Sequence, residues 1–158
     1  MCARDLKSTN GFLLSDFKYL MAYSIPLTAL IGFYLGGYWL FTTPFYIFVI
    51  IPIVEFLLTR YGIDELETHR AEKGIHWLFD LMLYLNILIV FGLLIYSLTK
   101  IVSFEFMSIE FLGSLLSLGL VLASNGINVA HELCHRTNTP ERILGKFLLI
   151  PSLYMHFY

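Results

Sequence analysis

The stretch that decides the fold covers residues 109–135 and reads IEFLGSLLSLGLVLASNGINVAHELCH. It opens with an apolar run of about twenty residues, the length that a helix needs to cross the hydrocarbon core of a membrane. His131 and His135 end the stretch, and their spacing of four places both imidazoles on one helix face, about 5–6 Å apart at Cβ. Burial of an ionisable side chain in or at the edge of the membrane costs free energy, so these histidines are functional candidates. The stretch predicts a membrane helix that ends in a metal site.

Composition extends this reading to the whole chain. Of the 158 residues, 58% are hydrophobic and 14% are charged, whereas soluble domains carry about 25% charged residues. The formal net charge of −2 and the lack of a basic tract argue against nucleic acid as a partner. Cys2 and Cys134 cannot form a disulfide framework. We therefore expect an integral membrane protein surrounded by lipid.

Four apolar stretches are long enough, or nearly so, to span the membrane: residues 17–39, 44–59, 77–98, and the stretch from 109 into the histidine motif. Residues 40–43 predict a tight hairpin turn between the first two. Residues 141–158 form a further segment that Pro151 interrupts. The expected fold is all-α, a polytopic transmembrane helix bundle with four spans and a C-terminal helical segment, within a single domain over residues 1–158.

The distribution of positive charge predicts the orientation of the chain. One predicted end of the bundle holds nine of the ten lysine and arginine residues: Arg4, Lys7, Lys18, Arg60, Arg70, Lys73, Arg136, Arg142 and Lys146. Only Lys100 falls at the opposite end. Because basic residues concentrate in cytoplasmic loops, this end, with both histidines, is expected to face the cytoplasm.

Polar residues on the last span recur at spacings of three and four, which predicts a single polar stripe: Ser124, Asn125, Asn128, His131, Glu132 and His135. Serine and asparagine also bond neighbouring membrane helices, which alone would account for Ser124 and Asn125. Asn128 lies one turn before His131, where it would either support a metal ligand or pack against a helix.

Three further polar residues allow two interpretations each. Glu55 and Asp80 are predicted at a depth similar to the histidines, either as metal ligands or their supports, or as boundary carboxylates paired with Arg60 or Lys73. His156 lies in an apolar run and is either a buried, hydrogen-bonded residue or part of a site.

The His-Glu-x-x-His spacing fits a zinc metalloprotease, in which both histidines bind zinc and Glu132 is the catalytic general base. The surrounding residues resemble another family more closely. Residues 128–136 (NVAHELCHR), 140–146 (PERILGK) and 154–157 (YMHF) resemble the membrane-bound alkane 1-monooxygenases, which belong with the integral-membrane fatty acid desaturases and hydroxylases.

This resemblance implies a non-haem enzyme with two iron ions that uses O2 to hydroxylate the terminal carbon of an alkane. Rubredoxin and rubredoxin reductase would deliver its electrons. By the resemblance, His131 and His135 form the first histidine box as iron ligands, and Glu132 orients a ligand; no ligand role passes to His156. The further ligands are expected after Tyr158. Residues 1–158 are therefore expected to be the N-terminal part of a longer bacterial inner-membrane enzyme, inactive by itself.

Overall fold

The structure is a computed structural model that describes residues 21–60 and 76–157, and every regular element within these ranges is helical. The helices are α1 (Ser24–Leu35), α2 (Gly37–Arg60), α3 (His76–Ile101), α4 (Ile109–Cys134) and α5 (Thr139–Leu149), followed by a 3₁₀ turn at Met155–Phe157. In this part of the chain, α2, α3 and α4 are long and apolar enough to cross a membrane. The predicted all-α fold class is confirmed for these ranges.

The first predicted span corresponds to α1. This helix has 12 residues, fewer than the roughly 20 that a membrane crossing needs. Residues 17–20 of the predicted span lie outside the described residues. A fourth span therefore stays a prediction.

The predicted turn at residues 40–43 was wrong. The chain turns at Gly36 and Gly37, whose φ angles of 69° and 57° are left-handed. Glycine adopts this conformation without steric cost because it lacks Cβ. Residues 40–43 are helical, and α2 starts at Gly37, so this span is longer than the predicted stretch 44–59.

One end of the bundle contains the turn between α1 and α2. A buried cluster joins α1, α2, α3 and α4 there through Phe33, Leu40, Ile101 and Leu118. Aromatic side chains stand exposed around it, namely Tyr34, Tyr38, Trp39 and Phe106. Such aromatic belts are typical of a membrane–water interface. This end also carries Lys100, near the end of α3, whereas Arg60 ends α2 and the histidine motif ends α4 at the opposite end of the bundle. The side of the membrane that each end faces stays a prediction.

The histidine end of the bundle is built from α3, α4 and α5. Its buried cluster consists of Leu83, Ile87 and Val90 from α3, Ala130 and Leu133 from α4, and Leu148 and Leu149 from α5. Helix α5 turns back against α4, and Gly145 permits this close approach. A Cβ at Gly145 would stand 2.9 Å from the Cys134 sulfur and 3.0 Å from the Ala130 carbonyl oxygen. The end of α4 is therefore held between α3 and α5.

Candidate metal centre

The last turn of α4 carries the histidine pair. His131 lies in that turn and His135 caps it, with the His135 amide donating to the His131 carbonyl oxygen at 3.3 Å. The imidazole rings meet edge to face, 74° apart, with 4.5 Å between their centroids. Both residues are exposed. The structure thus brings the two predicted ligands together on an accessible surface.

The opposite face of the same turn fixes this orientation. Ala130 and Leu133 are 0% and 1% exposed and pack against α3 and α5. Because residues 130 and 133 face the core, a helix must turn the side chains at 131, 132 and 135 outward. Apolar packing on the core-facing side of this turn therefore directs the polar residues of the motif away from the core.

Arg136 follows the motif and joins it to α3. Its guanidinium donates to the Asp80 carboxylate at 2.8 Å and lies 3.7 Å from the Glu132 carboxylate, measured from Nε. The guanidinium carbon also lies 5.7 Å from the centre of the Phe79 ring. Asp80 had two interpretations, a metal ligand or its support, or a boundary carboxylate paired with Arg60 or Lys73. The structure pairs it with Arg136, and Lys73 lies outside the described residues. Sequence reasoning missed Arg136, although its spacing of four from Glu132 was visible.

The predicted polar stripe is divided between two faces. Asn125 is 3% exposed, and its side-chain amide donates to the Asn86 carbonyl oxygen and to the Ala22 backbone oxygen, each at 2.9 Å. Asn128 is exposed, like the histidines. The division falls at a π-helical segment, Leu122–Ile127, whose extra residue per turn changes the phase of the helix. Asn125 therefore has the structural role that was one of its two interpretations.

Glu55 and His156 are the remaining candidates. Glu55 is exposed on α2 beside a groove that Met21 also lines. His156 is exposed, and its ring packs against Tyr154 with centroids 4.6 Å apart. Within residues 21–60 and 76–157, no three histidine, cysteine, aspartate or glutamate side chains form a group that could hold a metal.

The donor chemistry of the pair fits part of a metal site. Metal–imidazole bonds are about 2.0–2.1 Å long, so rings with centroids 4.5 Å apart are close enough to share one ion. Imidazole binds iron and zinc alike, and the pair by itself does not choose between them. The described residues supply two donors, and a complete site needs more.

The chain is similar to a known protein, Alkane 1-monooxygenase 1 of Pseudomonas aeruginosa. The two sequences are 30% identical over 124 residues, which is 77% of this chain and 32% of that protein. The chain thus spans about a third of the length of the curated relative that it matches. No protein-family model matches the chain. The similarity suggests the alkane 1-monooxygenase family, and together with three apolar helices it gives weak support to a membrane monooxygenase.

Proposed function

We propose that this chain carries the first histidine box of a membrane-bound, non-haem di-iron monooxygenase, with His131 and His135 as iron ligands. The observation that carries the proposal is the pair of exposed imidazoles, 4.5 Å apart, at the end of an apolar helix long enough to cross a membrane. The similarity to Alkane 1-monooxygenase 1 supports the choice of a monooxygenase over other membrane metalloproteins. Two iron ions require donors in addition to this pair.

The chemistry of each partner follows from this assignment. Bound iron would supply the activated oxygen, taken from O2, that cleavage of a strong C–H bond requires. The protein's own part is to hold the ligands, exclude water and present the substrate. We propose rubredoxin, reduced by rubredoxin reductase, as the electron donor. Because both histidines are exposed at the end predicted to be cytoplasmic, a soluble carrier has access to them.

The proposed substrate is the terminal carbon of an alkane. An alkane offers no charge or hydrogen bond, so its site must be apolar. A groove of about 200 Å³ lies between residues 22–23, the first half of α3 and Val129 of α4. Phe79, Leu83 and Val129 line this groove, and Val129 lies on the same helix as the histidines but on nearly the opposite face from His131. Its apolar walls suit a hydrocarbon that reaches the site from the membrane.

The test uses the protein expressed from its complete gene in cells that also produce rubredoxin and rubredoxin reductase. We expect the purified protein to contain iron and the cells to convert octane to 1-octanol. The matched control is a His135→Ala protein, which should lack both properties. Iron-free protein that retains zinc and cleaves peptides would contradict the proposal and favour the zinc metalloprotease that the His-Glu-x-x-His spacing also fits.

A further inference from the structure

The turn that follows the histidine motif is tied to α3 at two points. On one side of the turn, Arg136 donates to Asp80 at 2.8 Å. On the other side, the Tyr84 hydroxyl donates to the Glu141 carboxylate at 2.6 Å. Asp80 and Tyr84 are four residues apart on α3 and therefore lie on one face of it. The connection between α4 and α5 is thus anchored before and after its exposed residues.

The position of His135 depends on this anchor more than that of His131, because His135 lies at the very end of α4. It caps α4, where backbone carbonyl groups lose their helical partners and helices fray. Its own backbone bond to His131 is long at 3.3 Å, and its side chain is exposed. The next residue, Arg136, is the first one after the motif whose side chain is bound to another helix.

Of the two carboxylates near Arg136, Asp80 forms the closer and less exposed ion pair. Its oxygen is within hydrogen-bond distance of the guanidinium, whereas the Glu132 oxygen is 3.7 Å away. The Asp80 side chain is 38% exposed and that of Glu132 is 48% exposed. Solvent weakens exposed ion pairs, so the shorter and less exposed pair should contribute more to the position of Arg136. Asp80 also belongs to a separate helix, which lets it fix the motif relative to the bundle.

We propose that Asp80 is a positioning residue for the metal centre: acting through Arg136, it holds the turn that carries His135. The metal part of this proposal rests on the proposed function, since it takes the histidine pair as ligands. The positional part does not, because it concerns the backbone of residues 135 and 136 whether or not a metal binds.

The test compares four variants of the full chain in lipid nanodiscs: Asp80→Asn, Arg136→Gln, the double variant and Asp80→Glu. Glu55→Gln is the matched control, since it removes a carboxylate at similar predicted depth that lies outside this network. Amide hydrogen exchange reports the order of residues 135 and 136. Titration with Cu²⁺, followed by the nitrogen hyperfine signal in its EPR spectrum, reports binding by the imidazole pair.

We expect Asp80→Asn to speed exchange at residues 135 and 136 and to weaken Cu²⁺ binding by about two- to fivefold, the effect that a partly exposed ion pair can supply. Asp80→Glu should restore most of both. If Asp80 acts through Arg136, Asp80→Asn should add nothing once Arg136 is glutamine. Additive effects in the double variant, or exchange and binding unchanged in Asp80→Asn, would overturn the proposal.

A different result would refute the proposed function without refuting the positioning role of Asp80. Equal Cu²⁺ binding by the wild type and a His131→Ala/His135→Ala protein would remove the pair as ligands and with it the metal part of the proposal. The exchange data would still decide whether Asp80 positions the turn. Asp80→Asn could instead lose exchange protection throughout the chain, while Asp80→Glu matches the wild type at every amide. That result would show that Asp80 acts in folding and would also overturn the positioning proposal.

Discussion

Asn86 and Asn125 hold α3 and α4 together through reciprocal hydrogen bonds. The Asn125 amide donates to the Asn86 side-chain oxygen at 2.9 Å, and the Asn86 amide donates to the Asn125 backbone oxygen at 2.8 Å. Both residues are 3% exposed within an apolar bundle. Because lipid is as apolar as leucine, packing and polar contacts of this kind, not burial alone, hold membrane helices in register. This pair therefore sets the rotation of α4 ahead of the histidines.

Replacing Asn86 should destabilise the bundle. In Asn86→Leu, the Asn125 backbone oxygen and part of its amide lose their partners in a buried position, which should lower the free energy of unfolding by about 1–3 kcal/mol. Unfolding in mixed micelles at increasing SDS measures this. Asn128→Leu makes the same change at an exposed residue of α4 and should shift the free energy by less than about 0.5 kcal/mol. Equal effects of the two substitutions would contradict a special role for the buried pair.

Adding a methyl group at Gly145 should separate α5 from α4. A Cβ there meets the Cys134 sulfur at 2.9 Å, so Gly145→Ala forces a backbone shift that should cost about 1–3 kcal/mol. Gly119→Ala is the matched control, because a Cβ at Gly119 meets nothing within 4 Å and alanine favours a helix by up to about 1 kcal/mol. Thermal unfolding should give opposite shifts for the two variants. A Gly145→Ala protein as stable as the wild type would show that this contact is not tight.

Much of the fold could be predicted because long apolar runs have few alternatives in a membrane. The spans at α2, α3 and α4 follow directly from hydropathy. The turn was misplaced because Thr42, Thr43 and Pro44 have the composition of a helix break, as do Gly36 and Gly37. Only the backbone decides between them: Pro44 falls within the helix, and the glycines take the left-handed conformation.

The features of the site that follow from helix geometry could be predicted from the sequence. Those that depend on how the helices pack against each other could not. A spacing of four on a helix brings His131 and His135 together whatever surrounds them. The partner of Asp80 depends on the relative depth and rotation of α3 and α4, which a sequence pattern does not contain. The π-helical segment Leu122–Ile127 adds a change of phase, so Asn125 and Asn128 face different ways.

The sidedness of the protein is testable by cysteine labelling in intact cells. In a chain freed of Cys2 and Cys134, a cysteine at position 100 should react with a membrane-impermeant maleimide added outside. A cysteine at position 138 should react only after the membrane is permeabilised, because nine of the ten basic residues predict that the histidine end is cytoplasmic. Labelling of both positions from the same side would contradict this topology.

Glu132 separates the two metalloenzyme classes. In the proposed monooxygenase it supports Arg136 from 3.7 Å, so Glu132→Gln should lower iron content or octane oxidation by at most about 10–100-fold. As the general base of a zinc protease, Glu132 would be indispensable while the metal stays bound. Metal analysis, whole-cell octane oxidation and a peptide-cleavage assay of wild type and variant distinguish these outcomes. Peptide cleavage by the wild type that Glu132→Gln abolishes, with full metal content retained, would favour a catalytic base over a supporting residue.

The central claim is that the two imidazoles at the end of α4 bind iron. Its most direct test is the iron content of the protein from its complete gene, purified alongside His131→Ala and His135→Ala. Alanine retains helix propensity, so both variants should keep the fold, as circular dichroism would verify. We expect iron in the wild type and a loss of iron and octane hydroxylation together in each variant. A His135→Ala protein with full iron content and unimpaired turnover would contradict it.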